Sequence, residues 1–485
     1  MSKITARRPS KASEDVLFEL FEQVMGERPG TFGEREAAAL QVANDLVRRW
    51  AQHALSQLSE EYDAEVVVDG QRYRRHATGV RRYHTLCGAV DVRRDSYRRV
   101  GVHNGPTVVP LEIAAGIVEN ATPALAASVL EGFAMMPLRD YEDEMRAAHR
   151  VIPSRSTLER IAKRTGAALH AELPMIEPVV RARETVPRKA HAISLGLDRT
   201  TVPMAEMTDD IRLPATPAHV RRRLPPVTVA YRMAYVATVA VHDRRGETLK
   251  STRIAAAAHE GADELMERVG AELHHLLGQR PGLPTVVVQD GAPELWNLVD
   301  AWLENFLIQP RMRLIGRYHV DERLAASAEA VEREPMARHS LLQRWRKTLD
   351  RSDTAIRRIC KELDERLHGP MPAGDRDDDE VPWGRPRLMQ GQSARVVEGH
   401  VAYFENHAPK IRYATARKRG FPIGSGVTEG ACKSVIAVRF KRSGQRWFEP
   451  GVSACLHLRT MHLNQRLRPS FQLFLQQRQR CLTAR

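Results

Sequence analysis

Apolar positions along the 485 residues switch between helical spacing and strict alternation, and the switches divide the chain. Val16, Leu17, Leu20, Phe21 and Val24 recur at helical spacing, and Leu40, Ala43, Leu46, Trp50, Ala54 and Leu58 do the same. They predict helices over 14–27 and 34–60, split by Arg28-Pro29-Gly30, behind a polar and disordered segment 1–13. From about 64 to 100 the pattern becomes short strands with polar turns. Three short helices follow, Thr122 to Phe133, Leu138 to Arg150 and Ser154 to Ala168. Thr122 can cap the first, with Pro123 at its first helical position, and Ser154 or Ser156 can cap the last. A Pro-rich stretch over 174–190 reads as a linker.

The next segment carries the strand signals. Ile193, Leu195 and Leu197 alternate with Ser194, Gly196 and Asp198, which predicts a strand over Ala192 to Thr200. An irregular stretch to about 226 precedes strands Met233 to Val241 and Thr248 to Ile254, joined by Asp243-Arg244-Arg245-Gly246. A helix over 259–278 leads to Val286-Val287-Val288, a strand buried on both faces. A helix over 293–305 and a strand Arg313 to Ile315 complete the run. Two antiparallel strands after the first, then a helix and a parallel strand, predict an α/β fold with an RNase H-like core. Residues 320–421 read as a helical insertion containing Trp345, with 374–380 as a solvated acidic loop. The divisions are 1–62 helical, 63–119 basic and β-rich, 120–173 helix-turn-helix-like, and 191–319 the first part of the core. The insertion follows, then 422–485 as the final core helix and a basic tail. The two regions between 63 and 173 are expected to bind DNA.

Charge sharpens this picture. Lys and Arg total 74 against 60 Asp and Glu, a net +14, which favours a polyanionic partner such as nucleic acid. A GC-rich genome that favours Arg codons would give the same excess. The β-rich segment holds Arg72, Arg74, Arg75, Arg81, Arg82, Arg93, Arg94, Arg98 and Arg99, either a ribbon along a DNA backbone or a solvated sheet face. Arg155, Arg160, Lys163 and Arg164 give the last short helix a cationic face, for DNA reading or for simple packing. Beyond Ile436, Arg439, Lys441, Arg442 and Arg446 interleave with Phe440, Trp447 and Phe448, a mixture suited to a backbone with unstacked bases. Trp447 is read equally as a stacking residue or as a core anchor. The five cysteines have no zinc-ligand spacing and read as reduced thiols. No apolar run approaches a membrane span and no apolar segment follows the basic N-terminus, so a cytoplasmic, nucleoid-associated protein is expected.

Three acids stand out. Asp290 falls where the buried strand breaks off, in Gln289-Asp290-Gly291-Ala292-Pro293-Glu294-Leu295-Trp296. Asp198 lies near the end of its own strand, beside small residues. Glu429 opens a helix after Pro422-Ile423-Gly424-Ser425-Gly426. Singly these are a turn residue or a first-turn helix acid. Together they form a like-charged trio that divalent cations would neutralise, the equipment for in-line attack on a phosphodiester.

These blocks, with Gly196-Leu197-Asp198-Arg199-Thr200 and the tail Arg439-Phe440-Lys441-Arg442-Ser443-Gly444-Gln445-Arg446-Trp447, resemble DDE transposases. The chain resembles bacterial insertion-sequence transposases of the ISKra group and, more distantly, Mutator-like ones, over roughly 65–468. The resemblance implies that Asp198, Asp290 and Glu429 are the catalytic and metal-binding triad, and that the helical stretch is the usual insertion. It implies a role for His319, although Gly316 replaces the Asp that commonly stands three residues before that His, and only Tyr318 remains of an aromatic pair. It also implies that a Cys-rich zinc segment of some relatives is missing, since only Cys87 lies near the β region. The expected activity is metal-dependent cleavage of transposon ends and joining of 3′-hydroxyls to target DNA. Mg2+ is the expected ion, with Mn2+ as the alternative, and a homo-oligomer is expected when two ends are held together. A metal-dependent nuclease without strand transfer and an inactive DNA-binding regulator are the two other readings.

Overall fold

The computed structural model describes residues 11–26, 30–207, 227–369 and 388–484. The expected disorder of 1–13 falls mostly outside these residues, and the acidic loop 374–380 does so entirely. Among the described residues no helix is long and apolar enough to cross a membrane. The chain divides into two compact units, residues 1–173 with 468–485, and residues 174–467.

The first unit opens with α1 (Lys11–Met25) and α2 (Phe32–Glu60). Thr31 starts α2 through a reciprocal cap: Glu34 N–H donates to its hydroxyl at 3.4 Å, and Thr31 N–H donates to the Glu34 carboxylate at 2.7 Å. The apolar stripe that marked these helices is largely exposed, with Leu17 at 59 % and Trp50 at 69 %. Helical periodicity marks a face and does not say what covers it. The sheet that follows comprises β1 (Glu65–Val68), β2 (Gln71–Thr85), β3 (Gly88–Arg99) and β4 (Thr107–Val108). Its arginines are largely matched by acids: Arg72 and Arg74 share Glu65, Arg75 meets Asp95, and Arg82 meets Asp91. The short α3 (Pro110–Ala114) leads to α4 (Pro123–Met135), α5 (Leu138–Ala147) and α6 (Arg155–Ala171). Thr122 and Ser154 stand at the N-caps of α4 and α6, but neither side chain bonds the helix backbone. The Ser154 hydroxyl lies instead 3.2 Å from those of Ser156 and Thr157. Gly132 lets Tyr141 seat against α4, since a Cβ there would lie 2.2 Å from the ring.

The second unit begins with α7 (Leu173–Arg181), so half of the expected linker is a helix. Its buried Ile176 and Val180 lie one turn apart, and buried Arg181 pairs with Glu272 at 2.9 Å. Burial and ion pairing outweigh Pro178 inside the helix. The sheet is built from β5 (Ala192–Met207), β6 (Val227–His242) and β7 (Thr248–Ala256), then α8 (Ala262–Gln279), β8 (Thr285–Gln289), α9 (Pro293–Asn305) and β9 (Met312–Ile315). Strand order is β7-β6-β5-β8-β9, with β8 parallel to both β5 and β9 and β6 antiparallel to its neighbours. The stretch expected to be irregular after Asp198 is strand as far as Met207, paired residue by residue from Ala192↔His242 to Met207↔Val227. Cross-strand hydrogen bonds supply the regularity that local side-chain pattern does not announce. Residues 208–226 lie outside the described residues.

The helical stretch comprises α10 (Arg317–Val331), α11 (Pro335–Arg351), α12 (Ala355–His368), α13 (Gly391–His407) and α14 (Tyr413–Lys418). It is not a separate body. Leu324, Trp345, Ile359 and Phe404 share one buried cluster with Leu195, Val239 and Val287 of the sheet. Next comes α15 (Gly426–Ala431), which widens into a π-helical stretch over Cys432–Ala437 before α16 (Val438–Phe440). Then come α17 (Glu449–Leu463) and α18 (Leu467–Arg480), and β10 (Leu482–Ala484) closes the chain. β10 pairs with β1, Val68 facing Leu482. The last residues therefore complete the sheet of the first unit.

Candidate active site

Asp290 follows β8 directly, at the carboxyl end of the parallel strands, where open α/β sheets place their ligands. Asp198 reaches the same level through register. Ile193 pairs with Thr285 and Leu195 with Val287, an offset of 92 residues, and the same offset separates Asp198 from Asp290. Asp198 lies on β5 beyond the paired residues and Asp290 one residue past the end of β8, near enough for its charge to act on the Asp198 carboxyl.

Glu429 arrives on α15, which lies against the face of β5 that carries Ser194, Gly196 and Asp198. Thr428 hydrogen-bonds Thr238 across this contact at 2.6 Å. The approach depends on Gly196, where a Cβ would lie 2.1 Å from Thr428 Oγ1 and 2.8 Å from the Val288 carbonyl. Gly316, after β9, serves the same purpose: a Cβ there would lie 2.0 Å from Ser425 Oγ. Ser425, so seated, donates to Glu429 Oε1 at 2.6 Å. His319 lies in the first turn of α10, not on a strand end, and its Nε2 stands 3.2 Å from Glu429 Oε1. Gly316 thus makes room for the turn that fixes Glu429.

Asp198 accepts a hydrogen bond from the Arg199 N–H at 2.7 Å and is bonded by the Cys432 thiol. Burial, then the like charges of Asp290 and Glu429, push its carboxyl above the ordinary value against those hydrogen bonds. Asp290 accepts from the Ala292 N–H at 3.0 Å, and its carbonyl accepts from Trp296 Nε1 at 2.7 Å. Arg199 pairs with Glu294, and Lys441 Nζ reaches Thr200 Oγ1. The donor set is three carboxylates, hard oxygen ligands that fit Mg2+ or Mn2+ in kind. The trio is not among the His, Cys, Asp and Glu groups whose ligand atoms all lie within 4.8 Å of one another. Glu429 is held instead by Ser425 and His319.

Sequence reading missed a second layer from the insertion. Tyr403 of α13 covers the loop after Asp290, since a Cβ on Gly291 would lie 2.6 Å from its hydroxyl. Arg323 sits 3.9 Å above the Tyr403 ring. Arg323 follows His319 by four residues, one helical turn, so α10 presents both on one face. That spacing was the available signal. His407 packs edge-on to Tyr403 at 4.5 Å, and burial pushes its imidazole below the ordinary value.

The basic tail divides. Lys441, Arg442 and Arg446 are exposed. Arg439 is 2 % exposed and lies 4.6 Å from the centre of the Trp447 ring, so it is not open to a phosphate. Trp447 is half-buried and packs 4.7 Å from Phe440. Its N–H donates to the Pro203 carbonyl and its carbonyl accepts from Ala205, at 3.0 and 2.7 Å. It is annealed to the extension of β5 and is not on the helix of Glu429. In the first unit Arg155 is exposed, Arg160 and Arg164 lie 3.6 and 3.5 Å from Glu119, and Lys163 pairs with Glu159 at 2.6 Å. The cationic face of α6 is partly compensated.

No protein-family model matches the chain, and no curated protein matches it. Among solved structures the chain is similar to one titled Drosophila P element transposase strand transfer complex. Identity is 11 % and the TM-score 0.32, over 71 % of this chain and 92 % of that one. A likeness this loose does not bear on the site.

Proposed function

We propose that the chain is a DDE-type DNA transposase with Asp198, Asp290 and Glu429 as its catalytic carboxylates. The observation that carries this reading is the convergence of Asp290, just past β8, and Glu429, on α15 against Gly196, on the carboxyl of Asp198, which feels the charge of both. The strand order β7-β6-β5-β8-β9, with β6 antiparallel, supports an RNase H-like core.

Mg2+, or Mn2+ in its place, would be held by the three carboxylates and would polarise the scissile phosphate and lower the pKa of the attacking hydroxyl. The chain's own groups do the rest. Asp198 on β5 and Asp290 just past the end of β8 would supply two ligand positions. Ser425 positions the third acid, Glu429, by donating to its Oε1, and His319 Nε2 stands 3.2 Å from the same oxygen. Lys441, beside Thr200, and the exposed Arg442 and Arg446 would neutralise phosphates next to the cut. Arg155, Arg160, Lys163 and Arg164 would contact the transposon end. Cutting two ends in one reaction calls for two copies of the site, hence a homo-oligomer.

The test is Mg2+-dependent nicking and strand transfer on DNA carrying the element's ends. Asp198→Ala, Asp290→Ala and Glu429→Ala should each abolish both reactions and keep DNA binding. Full activity in any one removes that residue from the site. Nicking without joining by the intact chain points to a nuclease.

A further inference from the structure

A second strongly basic site lies at the opposite edge of the core sheet. The segment before β5, the β6–β7 turn and the α8–β8 connection enclose a cavity of about 800 Å3 at the amino ends of β5 and β8. Arg188, Lys189, Arg244, Arg245 and Arg280 line it, and all five are exposed. Among the described residues none of the five forms an ion pair with a carboxylate. Asp243, the acid in the lining, accepts the backbone N–H groups of Arg245 and Glu247 at 2.8 and 3.0 Å, and the Arg245 charge helps hold its carboxyl below the ordinary value.

The walls are fixed. Gly420, at φ 68°, packs on the β6–β7 turn so closely that a Cβ would lie 2.4 Å from the Arg244 carbonyl. His191 Nε2 lies 2.7 Å from the Arg419 carbonyl, so its ring is engaged there. Arg280 donates to the Arg188 carbonyl at 3.2 Å, joining two walls. Among the described residues many other basic side chains are met by acids, as Arg82 is by Asp91 and Arg466 by Glu184 and Glu272. Five cations around one concave surface, with Asp243 as the carboxylate among them, leave a net positive charge that calls for an anion of several charges.

We infer that this cavity binds the phosphodiester backbone of duplex DNA, at a place separate from the carboxylates. The lining offers no Phe, Tyr or Trp on which a base could stack, which selects phosphates over bases. Six residues of β5 separate Ala192 from Asp198, about 20 Å at ~3.3 Å per residue. A duplex reaching from the cavity to the carboxylates would span about six base pairs. The inference rests on the reading that the chain works on DNA, and on no step of its catalysis.

The test is binding of the full chain to a random-sequence duplex across a range of NaCl, without divalent metal. Each phosphate neutralised contributes about 0.9 to the slope of log K against log salt. Arg188→Gln/Arg244→Gln/Arg245→Gln should lower that slope by about 2–3. The corresponding Lys variant should keep it. Arg351→Gln/Arg357→Gln/Arg358→Gln, the same charge change on exposed residues elsewhere, should leave it unaltered. An unchanged slope in the first variant, or an equal fall in the control, overturns the inference. So does weakened binding of inorganic polyphosphate with duplex binding intact, which would mark a small-anion site. Failure of the wild type to cleave would sink the transposase reading and leave this result standing.

Discussion

Gly196→Ala is the sharpest probe of how the site is assembled. The added methyl would lie 2.1 Å from Thr428 Oγ1, 2.8 Å from the Val288 carbonyl and 3.2 Å from Thr428 Cβ. Restoring ordinary contact requires α15 to retreat from β5 by roughly 1 Å, an overpacking that costs about 1–3 kcal/mol. The retreat carries Glu429, the residue after Thr428, away from Asp198 and Asp290. A displacement of that size at a reacting centre lowers rate by about 10²-fold. The expected result is a folded protein, destabilised within that range, that binds DNA normally and nicks it about a hundredfold more slowly at saturating Mg2+. Adding Thr428→Ala removes the nearest atom and should recover part of the rate. It also strands the buried Thr238 hydroxyl, so stability should recover less. Wild-type nicking by Gly196→Ala would show that the approach of α15 to β5 does not set the catalytic geometry.

Other consequences follow from the same structure. Burial raises the Glu184 carboxyl, but Arg466 and Lys250 more than offset it and hold it down at about 2. Its contribution to stability, up to roughly 3 kcal/mol, is full above about pH 4.5 and lost as pH falls toward 2. Acid unfolding of Arg466→Gln, followed by circular dichroism, should therefore show a shallower loss across that window than the wild type. Trp447→Ala should cost about 2 kcal/mol by thermal melting, since the ring is half-buried against Phe440. It should also slow cutting of intact and frayed ends equally; sparing of frayed ends would restore the base-stacking role. Glu119→Gln should free Arg160 and Arg164 and steepen the salt dependence of DNA binding, and an unchanged slope would place both arginines away from DNA.

Short-range chemistry fixed much of this protein in advance. Alternation through Ile193, Leu195 and Leu197, the run Val286 to Val288, and Pro123 in the first turn of α4 are set by neighbours in sequence, so strands and helices could be read from them. Asp290 and Glu429 could be placed for the same reason, at the end of a strand and the start of a helix, whereas Asp198, read as near a strand end, stands within β5, which continues to Met207. What α10 and α13 contribute beside them was not legible. Tyr403 and Arg323 meet the site only because a buried cluster joins the insertion to the sheet. The extension of β5 to Met207, the burial of Arg439 and the return of Leu482 to β1 likewise depend on partners far along the chain. Periodicity shows which face of an element is apolar, and the exposed stripe of α1 and α2 shows that it does not name what lies against that face. Which acid stands level with which is set by strand register, and register follows from the hydrogen bonds and packing of the whole sheet.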